Sequence, residues 1–403
     1  VLKNKKILIV TEYFYPEEFK INEIAIAWMD KGYEVDILTQ NPTYPYGEVF
    51  DDYQNRWYVE DNYEGMKVYR VKAVTGYKSS LFKKLLKYFT FMFLGSFVAL
   101  KIGKKYDYVF GFDVGALSGM VPAVLLKKFY AKRVVLWIQD VWPDSVYAYG
   151  FKKTKVLAFF LDAFVRFVYR NCDAFGVSGR GFIKRVKPYV FGEQEIVYLP
   201  NWADELREEF EPFSFSEDAK VHFTFAGNVG KVQNLDNVIE AFGSLDDEYK
   251  DKAQLNIIGD GSHLEALKML VKNREISNVV FWGRKPRNEM AKYFQATDFL
   301  IVSLVDKPIF SLTVPAKVQT YIAAKKPILA IINGDAADIV SDNHLGYVAR
   351  PNDVSEITAI FQKAIETKEE EFRLFTQNCE ALTKDTFNKD KIIDALLGLL
   401  IGK

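Results

Sequence analysis

Cysteine is nearly absent. Cys172 and Cys379 are the only two in 403 residues, too far apart to read as a disulfide framework or a metal-ligand pair, and they fit a reducing compartment. Histidine is as scarce. With only His222, His263 and His344, a His-rich zinc site is excluded and a Ser-His-Asp triad has three candidates at most. Net charge is missing too: 53 Lys plus Arg balance 53 Asp plus Glu, which argues against a whole-chain nucleic-acid binder. The basic start leads only into Ile7-Leu8-Ile9-Val10, shorter than the apolar core of about seven or more residues that a secretory signal needs.

The zero hides an asymmetry. Residues 1–200 carry 29 basic and 21 acidic side chains, and residues 201–403 carry 24 and 32, so +8 stands against −8. The chain length calls for two cores, and the charge split suggests that they meet different partners. Aromatics are plentiful, with 33 Phe and 23 Tyr, more than core filling usually asks.

Ile7–Val10 reads as a buried parallel strand, continuous rather than alternating. Helix 21–31, ended by Gly32, and strand Val35–Thr39 complete a βαβ unit. Further strands are expected at Tyr108–Gly111, Val134–Ile138, Ala174–Ser178 and Ile196–Leu199. Pro200-Asn201 closes that half, and the acidic segment 204–218 reads as the linker. The alternation then restarts. Strands are expected at His222–Ala226, Leu255–Ile258, Val279–Trp282 and Phe299–Val302, and helices at Leu235–Phe242, His263–Val271, Glu289–Ala296 and Val318–Ala324. The fold class is α/β: two doubly wound, Rossmann-like domains facing across a cleft. Their expected bounds are 1–200 and 201–385, with a C-terminal helix at 386–403 packing back on the first domain.

Three stretches of the second half suit an anion. Gly227-Asn228-Val229-Gly230-Lys231 follows a strand, and its glycines let backbone amides approach a phosphate while Lys231 supplies charge. Gly259-Asp260-Gly261-Ser262 also joins a strand to a helix, although here a plain Asp-Gly turn with Ser262 as cap is the stronger reading. Ser311-Leu312-Thr313-Val314-Pro315-Ala316-Lys317 leads into a helix whose free amides form an anion site. Lysine there is locally unfavourable unless an anion compensates it, which makes Lys317 the most informative position.

The order of these motifs resembles the donor-nucleotide domain of retaining glycosyltransferases of family four, which have two facing Rossmann-like domains (GT-B). The stretches that carry the resemblance are Phe223–Gly230, Asn256–Gly261, Val280–Arg284 and Val314–Lys317 continuing through Tyr321–Pro327. In the first half, Tyr15–Glu23 and Trp137–Ser145 look like the branch that builds bacterial O-antigens and capsules. The resemblance implies a donor site of Gly227, Asn228, Gly230, Lys231, Gly259, Asp260, Gly261, Ser311, Leu312, Thr313, Lys317 and Thr320, with Arg284 and Lys285 near the base. It places catalysis at Asp140 and Gln139, where members often have His-Asp, and acceptor contacts at Tyr15, Glu18 and Asn22. Two departures stand out. The diphosphate-binding Arg and Lys of many members are replaced by Asn228 and Gln233, and their glutamate pair falls near Leu312 and at Thr320.

No Asp-x-Asp metal motif is present, so the expected reaction is metal-independent and needs no cofactor. A nucleotide sugar, most simply a UDP-sugar, is the co-substrate, and a glycan or polyprenyl-linked glycan is the acceptor. The resemblance implies transfer of an amino- or deoxy-sugar with retention, and no nucleic-acid partner. A non-catalytic sugar-nucleotide binder and a sugar-nucleotide epimerase remain as alternatives. Residues 78–105 hold seven lysines and no acidic residue, and the uncharged run Tyr88–Leu100 between Lys87 and Lys101 is too short to span a bilayer. Lysines flanking Phe89, Phe91, Phe93 and Phe97 fit a helix lying on the cytoplasmic membrane surface, with Phe151–Arg170 extending the patch.

Overall fold

The computed structural model describes residues 5–77, 80–148, 151–203, 210–215 and 221–402. Lys78, the side chain of Lys84 and most of the expected linker at 204–218 lie outside the described residues. The chain forms two compact units, one of residues 1–200 with 390–403 and one of residues 201–389.

The first unit is built on eight strands: β1 (Lys6–Thr11), β2 (Glu34–Gln40), β3 (Tyr58–Tyr63), β4 (Met66–Val71), β5 (Tyr108–Asp113), β6 (Arg133–Ile138), β7 (Ala174–Val177) and β8 (Glu195–Tyr198). Their order in the sheet is β3-β4-β2-β1-β5-β6-β7-β8. All neighbours run parallel except β3 and β4, a hairpin turned at Glu64-Gly65, both of positive φ. The central strands are buried on both faces, which is why they read as unbroken apolar runs. Connections leave β1 toward β2 on one side and β5 lies on the other. The carboxyl ends of β1, β5 and β6 therefore mark the switch point where α/β sheets hold ligands.

Helices α1 (Lys20–Asp30), α2 (Leu81–Ile102), α3 (Val121–Tyr130), α4 (Asp144–Ala148), α5 (Lys155–Arg170) and α6 (Arg180–Val186) accompany this sheet. The hydroxyls of Ser80 and Thr154 start α2 and α5, accepting the amides of Lys83 and Leu157 at 3.3 and 3.2 Å, caps worth about 1 kcal/mol each. By length and composition alone, Leu85–Lys105 would suffice to cross a membrane. Phe91, Val98 and Ala99 are nevertheless buried, and Gly95 packs on Pro122 of α3, so one face of α2 belongs to the fold. Two expectations for this stretch are corrected here: Phe91 is core, and Lys87 is buried rather than displayed.

The second unit is a six-stranded, all-parallel sheet of β9 (Val221–Ala226), β10 (Ala253–Ile258), β11 (Val279–Gly283), β12 (Phe299–Ser303), β13 (Ile328–Ile331) and β14 (Gly346–Ala349), ordered β11-β10-β9-β12-β13-β14. Helices α7 (Leu235–Gly243), α8 (Asp247–Lys250), α9 (Leu264–Asn273), α10 (Met290–Gln295), α11 (Ala316–Ala323), α12 (Asp335–Asp342), α13 (Val354–Ile365) and α14 (Glu369–Lys384) complete it. Two apolar layers result, one around Phe223, Phe242 and Phe361 and the other around Tyr321, Ile322 and Leu300. The last helix, α15 (Lys389–Ile401), is held in the first unit. The Trp28 indole donates to the Ile393 carbonyl at 3.3 Å, and Arg133 donates to the terminal carbonyls of Leu399 and Leu400, satisfying groups the helix end leaves free.

Candidate functional site

In the second unit the loops after β9 and β10 pack backbone against backbone. The Gly227 amide donates to Ile258 O at 2.8 Å, and the Val229 amide to Asp260 O at 2.9 Å. A Cβ on Gly259, at φ +148°, would stand 1.8 Å from Gly227 O, and one on Gly261 would stand 2.3 Å from Val229 O. Only glycine fits there. Beside these loops, at the carboxyl end of the sheet, opens a pocket of about 710 Å³.

Nine of the expected donor residues line that pocket: Gly227, Asn228, Gly259, Asp260, Gly261, Arg284, Lys285, Lys317 and Thr320. Five do not. The Gly230 amide is taken by the Gln233 side chain at 2.9 Å, which turns the exposed Lys231 into a short helical turn outside the lining. Ser311, Leu312 and Thr313 also lie outside it. They sit on and after a one-turn helix whose Ser311 carbonyl is packed against Gly334. The Thr320 hydroxyl donates within α11 to Ala316 O at 3.0 Å. Sequence reasoning passed over Tyr321, whose buried hydroxyl bridges the Ala226 amide and carbonyl, and Arg287, which adds a fourth basic residue to the lining.

Lys317 is the second residue of α11. Its Nζ is buried, has no hydrogen-bond partner among the described residues, and lies over the Phe225 ring. Burial pushes its pKa down from 10.5 to about 7. A buried ammonium without a counter-charge is costly. An anion in the pocket, beside the start of α11 and the glycine-lined wall, would relieve that cost.

The first unit gathers carboxyl groups at its switch point. Asp140 follows β6 and accepts the Gly115 amide at 2.9 Å. Burial raises its pKa, against that hydrogen bond. Asp113, at the end of β5, is fully buried and pushed well up by burial and by the Asp140 and Glu12 charges. Glu12 is also raised by burial. It lies 3.6 Å from Lys87, beyond hydrogen-bond range, while Lys87 donates to the Tyr13 hydroxyl at 2.6 Å. Glu12, Asp113 and Lys87 thus join Asp140 in a cluster that sequence spacing did not disclose. Gln139 continues β6, its amide donating to Asp113 O at 2.9 Å.

Of the expected acceptor contacts, Tyr15 and Glu18 are exposed. The Tyr15 ring is stacked on Tyr63, and Asn22 donates to Glu17 O at 2.8 Å, holding the loop. Glu17 itself was missed. Buried, it accepts the amides of Thr43, Tyr44 and Phe14, and burial lifts it to about 7 against those three bonds.

Residues 207–378 match the family model of Glycosyl transferases group 1. The probable glycosyltransferase WbjE of Pseudomonas aeruginosa is 30% identical over 266 residues, 62% of this chain and 66% of that protein. The chain thus spans just under two thirds of that relative. The putative colanic acid biosynthesis glycosyl transferase WcaI of Escherichia coli strain K12 is 26% identical over 304 residues, 69% of this chain and 71% of that protein. Among solved structures, WaaG, a glycosyltransferase involved in lipopolysaccharide biosynthesis, superposes with a TM-score of 0.62 at 16% identity, over 98% of this chain and 100% of that one. Anabaena HepE in complex with UDP and glucose gives 0.62 at 12% identity, over 99% and 100%. These likenesses show the fold: GT-B, with two Rossmann-like domains.

Proposed function

We propose that this chain, whose residues 207–378 match the family model of Glycosyl transferases group 1, moves an amino- or deoxy-sugar from a UDP-type donor to a lipid-linked glycan in the synthesis of a cell-surface polysaccharide. The observation that carries this reading is the buried Lys317 ammonium, without a hydrogen-bond partner among the described residues, in the glycine-walled pocket. Transfer leaves a nucleoside diphosphate whose charge must be met where it develops. Lys317 and the first amides of α11 meet it, and Arg284, Lys285 and Arg287 add positive charge along the lining. The reaction runs with retention, the leaving phosphate helping to take the acceptor proton. The proposed reaction is metal-independent, its developing charge met by these basic groups and amides.

The acceptor is reached at the inner face of the plasma membrane. Phe89, Phe93 and Phe97 recur on one face of α2 with exposures of 50, 57 and 75%, and Phe159 and Phe160 of α5 are 70 and 64% exposed. Exposed aromatics beside lysines suit a helix lying in a membrane interface. A panel of nucleotide sugars tests the whole reading, with nucleoside diphosphate release followed with and without a polyprenyl-diphosphate glycan, in excess EDTA. Acceptor-dependent release that survives the chelator is expected. Release from no donor would leave a nucleotide-binding protein without transferase activity.

A further inference from the structure

The first unit holds a cavity that donor chemistry does not use. An apolar pocket of about 290 Å³ opens between α2 and α5, walled by Phe89, Met92, Val146, Leu157, Leu161 and Trp142. It has about twice the volume of a dry cavity that accepts benzene. Among the described residues, no charged side chain lines it. Its wall also includes Gly115, whose carbonyl accepts the Trp142 indole at 3.0 Å and whose amide holds the Asp140 carboxylate at 2.9 Å. A single residue therefore separates an apolar chamber from the Asp140 carboxylate.

We infer that this pocket takes the hydrocarbon chain of the acceptor, an isoprenoid or acyl chain whose phosphate-linked head is thereby brought to Asp140. The inference rests on the reading that the acceptor is lipid-linked. Three observations favour this occupant. The walls are aliphatic and aromatic, so burial of a chain is driven by area removed from water. The exposed Phe89 belongs both to the pocket wall and to the aromatic face of α2, which makes the chamber continuous with the surface proposed to meet the bilayer. Exposed Lys83, Lys152, Lys153 and Lys155 flank the wall residues in sequence, and residues 151–161 contain no acidic side chain, a charge pattern complementary to a phosphate head.

The test uses alkyl phosphates below their micelle concentration. Dodecyl phosphate brominated at its chain end should quench Trp142 fluorescence saturably, and Trp142→Phe should abolish the quenching. Across butyl, octyl and dodecyl phosphate, affinity should rise by up to about fourfold for each methylene buried. Leu157→Glu, on a half-buried turn of α5, should weaken dodecyl phosphate at least tenfold. A second variant, Val146→Phe, should do the same by filling the chamber. Equal affinity for butyl and dodecyl phosphate, or unchanged binding to a folded Leu157→Glu protein, would overturn the inference. Donor turnover is scored separately: saturable quenching at Trp142 without turnover of any nucleotide sugar supports the pocket while removing the transferase reading.

Discussion

The Lys317 ammonium lies 3.4 Å from the centroid of the Phe225 ring with no hydrogen-bond partner among the described residues. A lysine held at a pKa of about 7 is largely neutral in the empty pocket at pH 8. A bound diphosphate draws it back to the charged form. Binding at pH 8 should therefore take up close to one proton, seen as calorimetric enthalpies that depend on the buffer. Affinity should fall by up to tenfold per pH unit above 7.5. Lys317→Met should remove the proton uptake and cost about 1.5–3 kcal/mol of diphosphate binding. Lys231→Ala, outside the lining, should cost under about 0.5 kcal/mol.

The wall beside that lysine depends on a backbone contact. Gly259→Ala places a methyl against Gly227 O in a region of positive φ, combining strain with overpacking, and should destabilise the second unit by about 3–5 kcal/mol. Gly283 has φ +67° but nothing within 4 Å of a Cβ, so Gly283→Ala should cost only about 1 kcal/mol. Thermal unfolding of the two variants separates them. Equal losses would mean that backbone conformation alone, not the loop contact, sets the requirement for glycine.

What the sequence disclosed follows from what was local. Strands β1, β5, β6 and β9 read directly because burial on both faces leaves unbroken apolar runs. The β3-β4 hairpin was missed. Tyr58–Tyr63 is half exposed along its length and shows no apolar pattern, and Glu-Gly is a weaker hairpin signal than Asn-Gly. Lys317 was visible because a cation at a helix start is anomalous by itself. Lys87 was not, since it sits in a basic, leucine-rich stretch and its burial depends on Glu12 and Tyr13, more than seventy residues earlier. The same long-range assembly hid Asp113 and Glu17. It also explains why Ser311–Thr313, adjacent to Lys317 in sequence, fall outside the pocket.

Glu17 ties the loop after β1 to the one after β2, and its raised pKa makes that tie pH-dependent. The folded state binds the Glu17 proton more tightly than the unfolded chain does. The stabilisation is therefore complete below the ordinary carboxyl range and is lost as pH rises through about 7. Unfolding free energy of the first unit should accordingly fall between pH 5 and 8, with at most about 3 kcal/mol due to this group. Glu17→Gln keeps an acceptor oxygen for the loop amides and removes the proton, so it should flatten that part of the profile. An unchanged slope in the variant would assign the dependence to Asp113, Asp140 or Glu12.

Asp140 and Asp113 lie at adjacent strand ends, and burial raises both, yet their expected roles differ. Asp113 is sealed from solvent, and burial and two neighbouring carboxylates push its pKa well up. Asp113→Asn keeps the shape and removes a carboxyl whose charged form burial disfavours, so stability and transfer should change little. Asp140 is only partly covered and is oriented by the Gly115 amide. Asp140→Asn retains an oxygen for that amide, so the fold should persist, but the charge and the proton-accepting capacity are gone. Transfer should then fall by about 10²–10⁴, while diphosphate binding at Lys317, in the other unit, stays at the wild-type level. Steady-state rates beside calorimetric diphosphate binding read both at once. If Asp113→Asn is the crippled variant and Asp140→Asn is active, the catalytic acid belongs on β5 and the pocket wall at Gly115 serves packing alone.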